Sequence, residues 1–172
     1  MDSLKIDLKS LEEGVTTIER DLDDAYFAAT GGSEVSRGRM HTSITIDRAD
    51  KVFDIAYHVE GTAIIPCDRC LDDMEQPICA DDRIVAKLGD ETDDDDTIAI
   101  DENDGVLDMA WPIYESIALS IPVKHVHAPG KCNPAMIKVL EEHSAARSSE
   151  EEDGERPNDP RWDALKKLKN NN

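Results

Sequence analysis

The sequence predicts an α+β fold: a mainly antiparallel β-sheet with one or two packed helices, a disordered acidic linker and a short C-terminal helix. Three observations predict it. Met40, Thr42, Ile44 and Ile46 fall on one face of an alternating run, and Phe53, Ile55, Tyr57 and Val59 on one face of the next. Strict alternation over this length belongs to antiparallel strands with one wet face. Ile113, Ile117 and Ile121 recur at helical spacing, joined by Tyr114 and Ala118. From Ser144 to Asn158 the chain is Ser, Glu, Asp and Arg with almost no apolar content, too little to offset the entropy of ordering. The expected organisation is one α+β domain over residues 1–143, a disordered acidic linker over 144–158, and an amphipathic helix and tail over 159–172.

Each element has its own signal. Leu4, Ile6 and Leu8 alternate with Lys5, Asp7 and Lys9 as in a half-buried strand. Gly14 marks a turn, and Val15 to Ile18 read as a second strand that makes a hairpin-like start. Asp21 to Ala29 reads as a short helix closed by Gly31 and Gly32. Asp47 to Lys51 form a polar turn between the two long strands. Gly61 interrupts the second, as a bulge would, before Ala63, Ile64 and Ile65 resume it. Cys67 to Cys70 then sit in a turn, and Ile78, Ile84, Ala86 and Leu88 lie on the returning strand. Asp93 to Asp96 are a solvated loop without the spacing or glycine of a helix–loop–helix calcium site. Thr97 to Ile100 are a short edge strand. Met109 to Ile121 are a helix with Asp108 as N-cap, Pro112 in the first turn and Pro122 beyond the end. Asn133 to Glu142 are one more helix. Asp159 caps a last one, with Pro160 at its first position and Trp162, Leu165 and Leu168 on one side.

Charge narrows the function classes. The 172 residues carry 39 acidic and 19 basic side chains, a formal charge of −20. Binding nucleic acid means neutralising phosphates with Lys and Arg, so this balance argues against direct RNA contact and for a basic protein partner. No run of roughly 18 apolar residues is present, and Met1 to Lys5 show no secretory signal. The expectation is a cytoplasmic chain in a reducing compartment, where clustered cysteines bind metal, act in redox chemistry or are simply buried.

Cys67 and Cys70 have the spacing that lets two thiolates meet one tetrahedral ion from a tight turn. A structural zinc site needs two more ligands. Cys132 and either His127 or His125 are the N/S donors grouped elsewhere, and His127, five positions before Cys132, is the more compact choice. Three readings of the pair stand side by side: a structural Zn2+ site, a turn with free thiols, and a redox pair. The redox reading lacks a surrounding βαβ pattern, and Pro66 precedes the pair instead of lying within it. Cys79 reads as an ordinary buried cysteine, and His41 and His58 as lone strand-face histidines. The phosphate-loop, dinucleotide and nucleophile-elbow motifs are all missing, and no nucleophile has an identifiable base. The reading is therefore a non-enzyme.

Three features resemble one family. Cys67-Asp68-Arg69-Cys70-Leu71 is a C-x-R-C-L signature after a long strand. Asp108 to Pro122 is an acid-started helix with Glu115 that ends in Ile121-Pro122 and is followed by a cysteine. Asp159-Pro160-Arg161-Trp162, with Leu165 and Leu168, is close to a D-P-R-[LW]-x-x-L ending. Over residues 40–168 the chain resembles the YceD family, the large ribosomal RNA subunit accumulation proteins. The resemblance implies a cytoplasmic, non-enzymatic role in accumulation of 23S rRNA and of the large ribosomal subunit. Members are often encoded beside a small large-subunit ribosomal protein, which implies an acidic helper for a basic ribosomal protein or assembly factor. Other members carry further cysteines after the helix, where this chain has His125, His127 and Cys132. The competing classes are a small zinc- or thiol-dependent redox protein and a direct RNA binder.

Overall fold

Long alternating strands dominate the computed structural model, which describes residues 4–89 and 97–144. The strands are β1 (Lys5–Asp7), β2 (Gly14–Leu22), β3 (Arg37–Ala49), β4 (Val52–Pro66), β5 (Asp73–Leu88), β6 (Thr97–Ile100) and β7 (Val106–Asp108). The helices are α1 (Asp24–Thr30), α2 (Ala110–Leu119) and α3 (Pro134–His143), with a 3-10 turn at Leu8–Ser10. The chain divides into two units, Met1–Ile137 and Lys138–Asn172.

The main sheet runs β2-β3-β4-β5-β6, antiparallel except for β6, which pairs parallel to β5 at the edge. The expected α+β architecture with a mainly antiparallel sheet is therefore present. Val52 pairs with Ala49 across a two-residue turn, where Asp50 takes a left-handed φ of 55°. Ile44, Ile46, Phe53, Ile55, Val59 and Ile65 all face inward. Met109, Ile113 and Ile117 close over them from the helical side, with Phe27 of α1 beside them. Each such side chain contributes roughly 1.5–3 kcal/mol on burial. Polar pins fix α2 on the sheet and α1 on α2. The Ser116 hydroxyl donates to Asp82 Oδ2 at 2.7 Å and lies 2.9 Å from the Tyr57 hydroxyl. Tyr26 donates to the Ala110 carbonyl at 2.8 Å.

Four local expectations need correction. The first two strands form no hairpin: β1 pairs with β7 in a separate two-stranded sheet, while β2 pairs with β3. Leu8 and Leu4 are buried all the same, so local alternation reported burial correctly but not the partner. Gly61 makes no bulge. The β3–β4 register runs unbroken through Met40↔Gly61. Gly61 is needed there because its φ is +151° and a Cβ would lie 2.6 Å from Met40 Cα, against the Arg39 carbonyl. The first helix begins at Asp24 under an Asp23 cap, since Asp21 and Leu22 finish β2 opposite His41 and Met40. Finally, Met109 is the N-cap residue of α2, and Asp108 ends β7. The Asp108 carboxylate still accepts the Ala110 N–H at 2.9 Å, so it caps from one residue further back. The expected acidic loop at 93–96, most of the linker and the C-terminal helix lie outside the described residues.

Candidate metal centre

β4 delivers Pro66 and then Cys67 at the far end of the sheet, and β5 takes the chain back from Asp73. The intervening turn is closed by its own backbone. Leu71 N–H donates to the Cys67 carbonyl and Cys67 N–H to the Asp72 carbonyl, both at 2.9 Å. Leu71 pays for the tightness of the turn with a left-handed φ of 61°. After α2, the chain loops back past this turn. Asp68 N–H donates to the His125 carbonyl at 3.0 Å, and Asp68 Oδ2 accepts the His125 N–H at 2.8 Å. This reciprocal pair aligns residues 125–132 with the knuckle.

The result is a four-residue cluster. Donor atoms of Cys67, Cys70, His127 and Cys132 all lie within 4.8 Å of one another, with the two knuckle cysteines buried and the other two partly so. Zn–S bonds of about 2.3 Å and Zn–N bonds of about 2.0–2.1 Å set tetrahedral edges of about 3.8 Å between sulfurs and about 3.5 Å between sulfur and nitrogen. Cys67 Sγ stands 3.9 Å from Cys132 Sγ, and Cys70 Sγ 3.3 Å from His127 Nδ1. Both distances lie near those edges, and all four cysteines of the chain are free. His127 Nε2 sits 3.2 Å from the Asp73 carbonyl, the outer hydrogen bond that metal-bound histidines commonly make. The donor set suits a thiophilic ion and could hold a metal.

In the metal-free cluster the electrostatics single out one thiolate, Cys67, while His127 and Cys132 hold their protons more tightly. Burial works against charge on Cys67, yet the N–H groups of Arg69, His127 and Cys70 outweigh it and hold its thiol at about 6, below the ordinary value of 9.0. Two of these donors are direct, Arg69 N at 3.5 Å and His127 N at 3.4 Å from Cys67 Sγ. His127 is raised by its hydrogen bond to Cys67, and Cys132 is raised by burial first and by the neighbouring sulfurs second. One thiol is thus poised as the leading thiolate of the cluster.

Of the two candidate histidines, His127 enters the cluster and His125 does not. The His125 ring lies 3.2 Å from Asp68 Oδ1 and 3.0 Å from the Pro122 carbonyl. Arg69 lines a shallow cavity of about 280 Å³ beside His127 and Cys132, and Leu71 is 68% exposed. Asp159, Pro160 and Arg161 lie outside the described residues. Cys79 is exposed, not buried as expected, because the β5 register puts Ile78 on the core face and Cys79 opposite Glu60 on the wet one. His41 and His58 stay apart from the cluster, held at 2.8 Å by Asp21 and at 2.7 Å by Asp81. Sequence reasoning missed Asp68 and Asp72 as braces. Asp72 accepts from Asn133 Nδ2 at 3.1 Å, and no spacing rule links either acid to a loop some 60 residues on.

Comparison with known proteins gives one match. The family model described as large ribosomal RNA subunit accumulation protein YceD covers residues 55–169. No curated protein matches the chain. No solved structure matches it either.

Proposed function

The chain belongs to the YceD family, and on that premise we propose that it is a non-enzymatic, cytoplasmic factor supporting accumulation of 23S rRNA and the large ribosomal subunit. The single observation that carries the reading is the family match, which runs from β4 through the Cys67–Cys70 knuckle and past Cys132. It acts by holding a basic ribosomal protein or a large-subunit assembly factor. The charge of −20 supports a basic protein client over direct contact with RNA phosphates. A structural Zn2+ held by Cys67, Cys70, His127 and Cys132 clasps the end of the sheet to the segment after α2. Four protein donors fill a tetrahedron and leave no position for substrate, which supports a structural and not a catalytic role.

Depletion of the protein in its own cells tests the role: mature 23S rRNA should fall relative to the small-subunit rRNA. Unchanged rRNA ratios and an unchanged large-subunit peak would sink it. Elemental analysis of the purified protein tests the clasp. About one zinc per chain is expected, lost in Cys67→Ser. A metal-free protein with a reversible Cys67–Cys70 disulfide would favour the redox alternative.

A further inference from the structure

We propose that the outer face of α2 and the loop that follows α1 form a docking slot for a basic protein segment carrying one large apolar side chain. This deepens the partner reading above and rests on it. Trp111, Glu115 and Leu119 recur every four residues along α2, and none is buried: Trp111 is 51% and Leu119 84% exposed. The opposite wall is Gly32, Ser33 and Glu34, and the slot encloses about 270 Å³.

The slot is built, not incidental. The Trp111 ring stacks on Tyr114 at 5.6 Å between centroids and 26° between planes. The buried Tyr114 hydroxyl accepts the N–H groups of Glu34 and Val35, both at 3.0 Å, so the floor and the far wall are locked together. A Cβ on Gly32 would overlap the Tyr114 ring, so the wall approaches the helix as closely as it does only with glycine there. A rigid aromatic beside a preformed apolar slot is the usual make-up of an interface hot spot.

Charge selects the occupant. The carboxylates of Glu34 and Glu115 stand on opposite walls, and neither meets a Lys or Arg among the described residues. A second copy of this chain, carrying the same charge of −20, would bring like charges to that rim. A segment with an apolar anchor between lysines or arginines satisfies both the slot and its rim.

The probe is the set of proteins stripped by lithium chloride from purified large ribosomal subunits, passed over the immobilised full-length chain. A retained protein, identified by mass, is then titrated against the wild type, Trp111→Ala, Leu119→Ser and the pair Glu34→Gln with Glu115→Gln. The dissociation constant should rise about tenfold or more in each apolar variant. The double glutamine variant should show a flatter dependence of affinity on salt. Leu119 is so exposed that its variant tests the slot even where Trp111→Ala proves unstable. Retention with an unchanged constant in Leu119→Ser and in every folded Trp111 variant overturns the slot and leaves the partner reading standing. Retention of no large-subunit protein by the wild type overturns the partner reading and the slot with it.

Discussion

His58 shows how a single residue is set by its neighbours on the wet face of the sheet. Its pKa is raised, first by the hydrogen bond to Asp81 and further by Glu60. A raised histidine contributes stability fully below the unfolded value of about 6.5, and the contribution fades as pH rises through the folded value. Asp81→Asn should therefore bring the His58 titration back toward 6.5, read by NMR of the ring protons. A titration that does not move would mean that Asp81 is not the cause. Gly61 makes a sharper point. Its positive φ and the backbone of Arg39 and Met40 leave no room for a methyl group. Gly61→Ala should cost about 2–3 kcal/mol in urea unfolding, and a loss below about 0.5 kcal/mol would show that β3 can shift away.

At the scale of the element, α2 has two faces with opposite jobs. Ile113 and Ile117 are fully buried against the sheet, while Leu119 points into solvent. Ile117→Ala should cost about 2–5 kcal/mol of folding stability through lost burial and the cavity left behind. Leu119→Ser should cost within about 0.5 kcal/mol, as exposed substitutions do. Equal losses at both positions by denaturant titration would contradict this packing. The sequence pattern identified the inner face from Ile113 and Ile117, but it extended the helix to Ile121. The helix stops at Leu119, and Ile121 is only half-buried beyond it. Pro122 disfavours helical backbone at Ile121, the residue before it, and the Ile121 N–H donates to the Ala118 carbonyl at 3.3 Å, a tightened final turn that closes the helix.

At the scale of the whole molecule, the four-residue cluster links segments more than 50 residues apart, Cys67 and Cys70 with His127 and Cys132, and the proposed metal would clasp them. Coordination requires thiolates, so protons compete with the ion. The Cys67 thiol is depressed from 9.0 to about 6, so its thiolate favours the fold fully above 9 and loses that advantage as pH falls through about 6. A bound ion holds the thiolates against protons to still lower pH, so zinc should be released only on acidification below about 6, followed with a metal-sensitive dye, and the melting temperature should fall with it. Chelation at neutral pH should have the same effect on melting. A melting temperature indifferent to both would separate the cluster from the fold.

The sequence by itself determined the class of fold, the parity of the long strands and the cysteines of the cluster, Cys67, Cys70 and Cys132. Alternation at Ile44, Ile46, Phe53 and Ile55 is a local record of burial, because each side chain's face follows from its own position along the strand. The Cys-x-x-Cys turn was legible for the same reason, since one short segment presents both sulfurs. Only the tertiary structure decided between His125 and His127. Both lie in one loop, and the choice rests on Asp68 turning one ring away while the Asp73 carbonyl holds the other toward Cys70. It also decided that β1 pairs with β7, that Cys79 faces solvent, and that Gly61 fills a crowded register position in place of a bulge. These depend on contacts between distant segments, and residue spacing carries no information about which distant backbone arrives alongside.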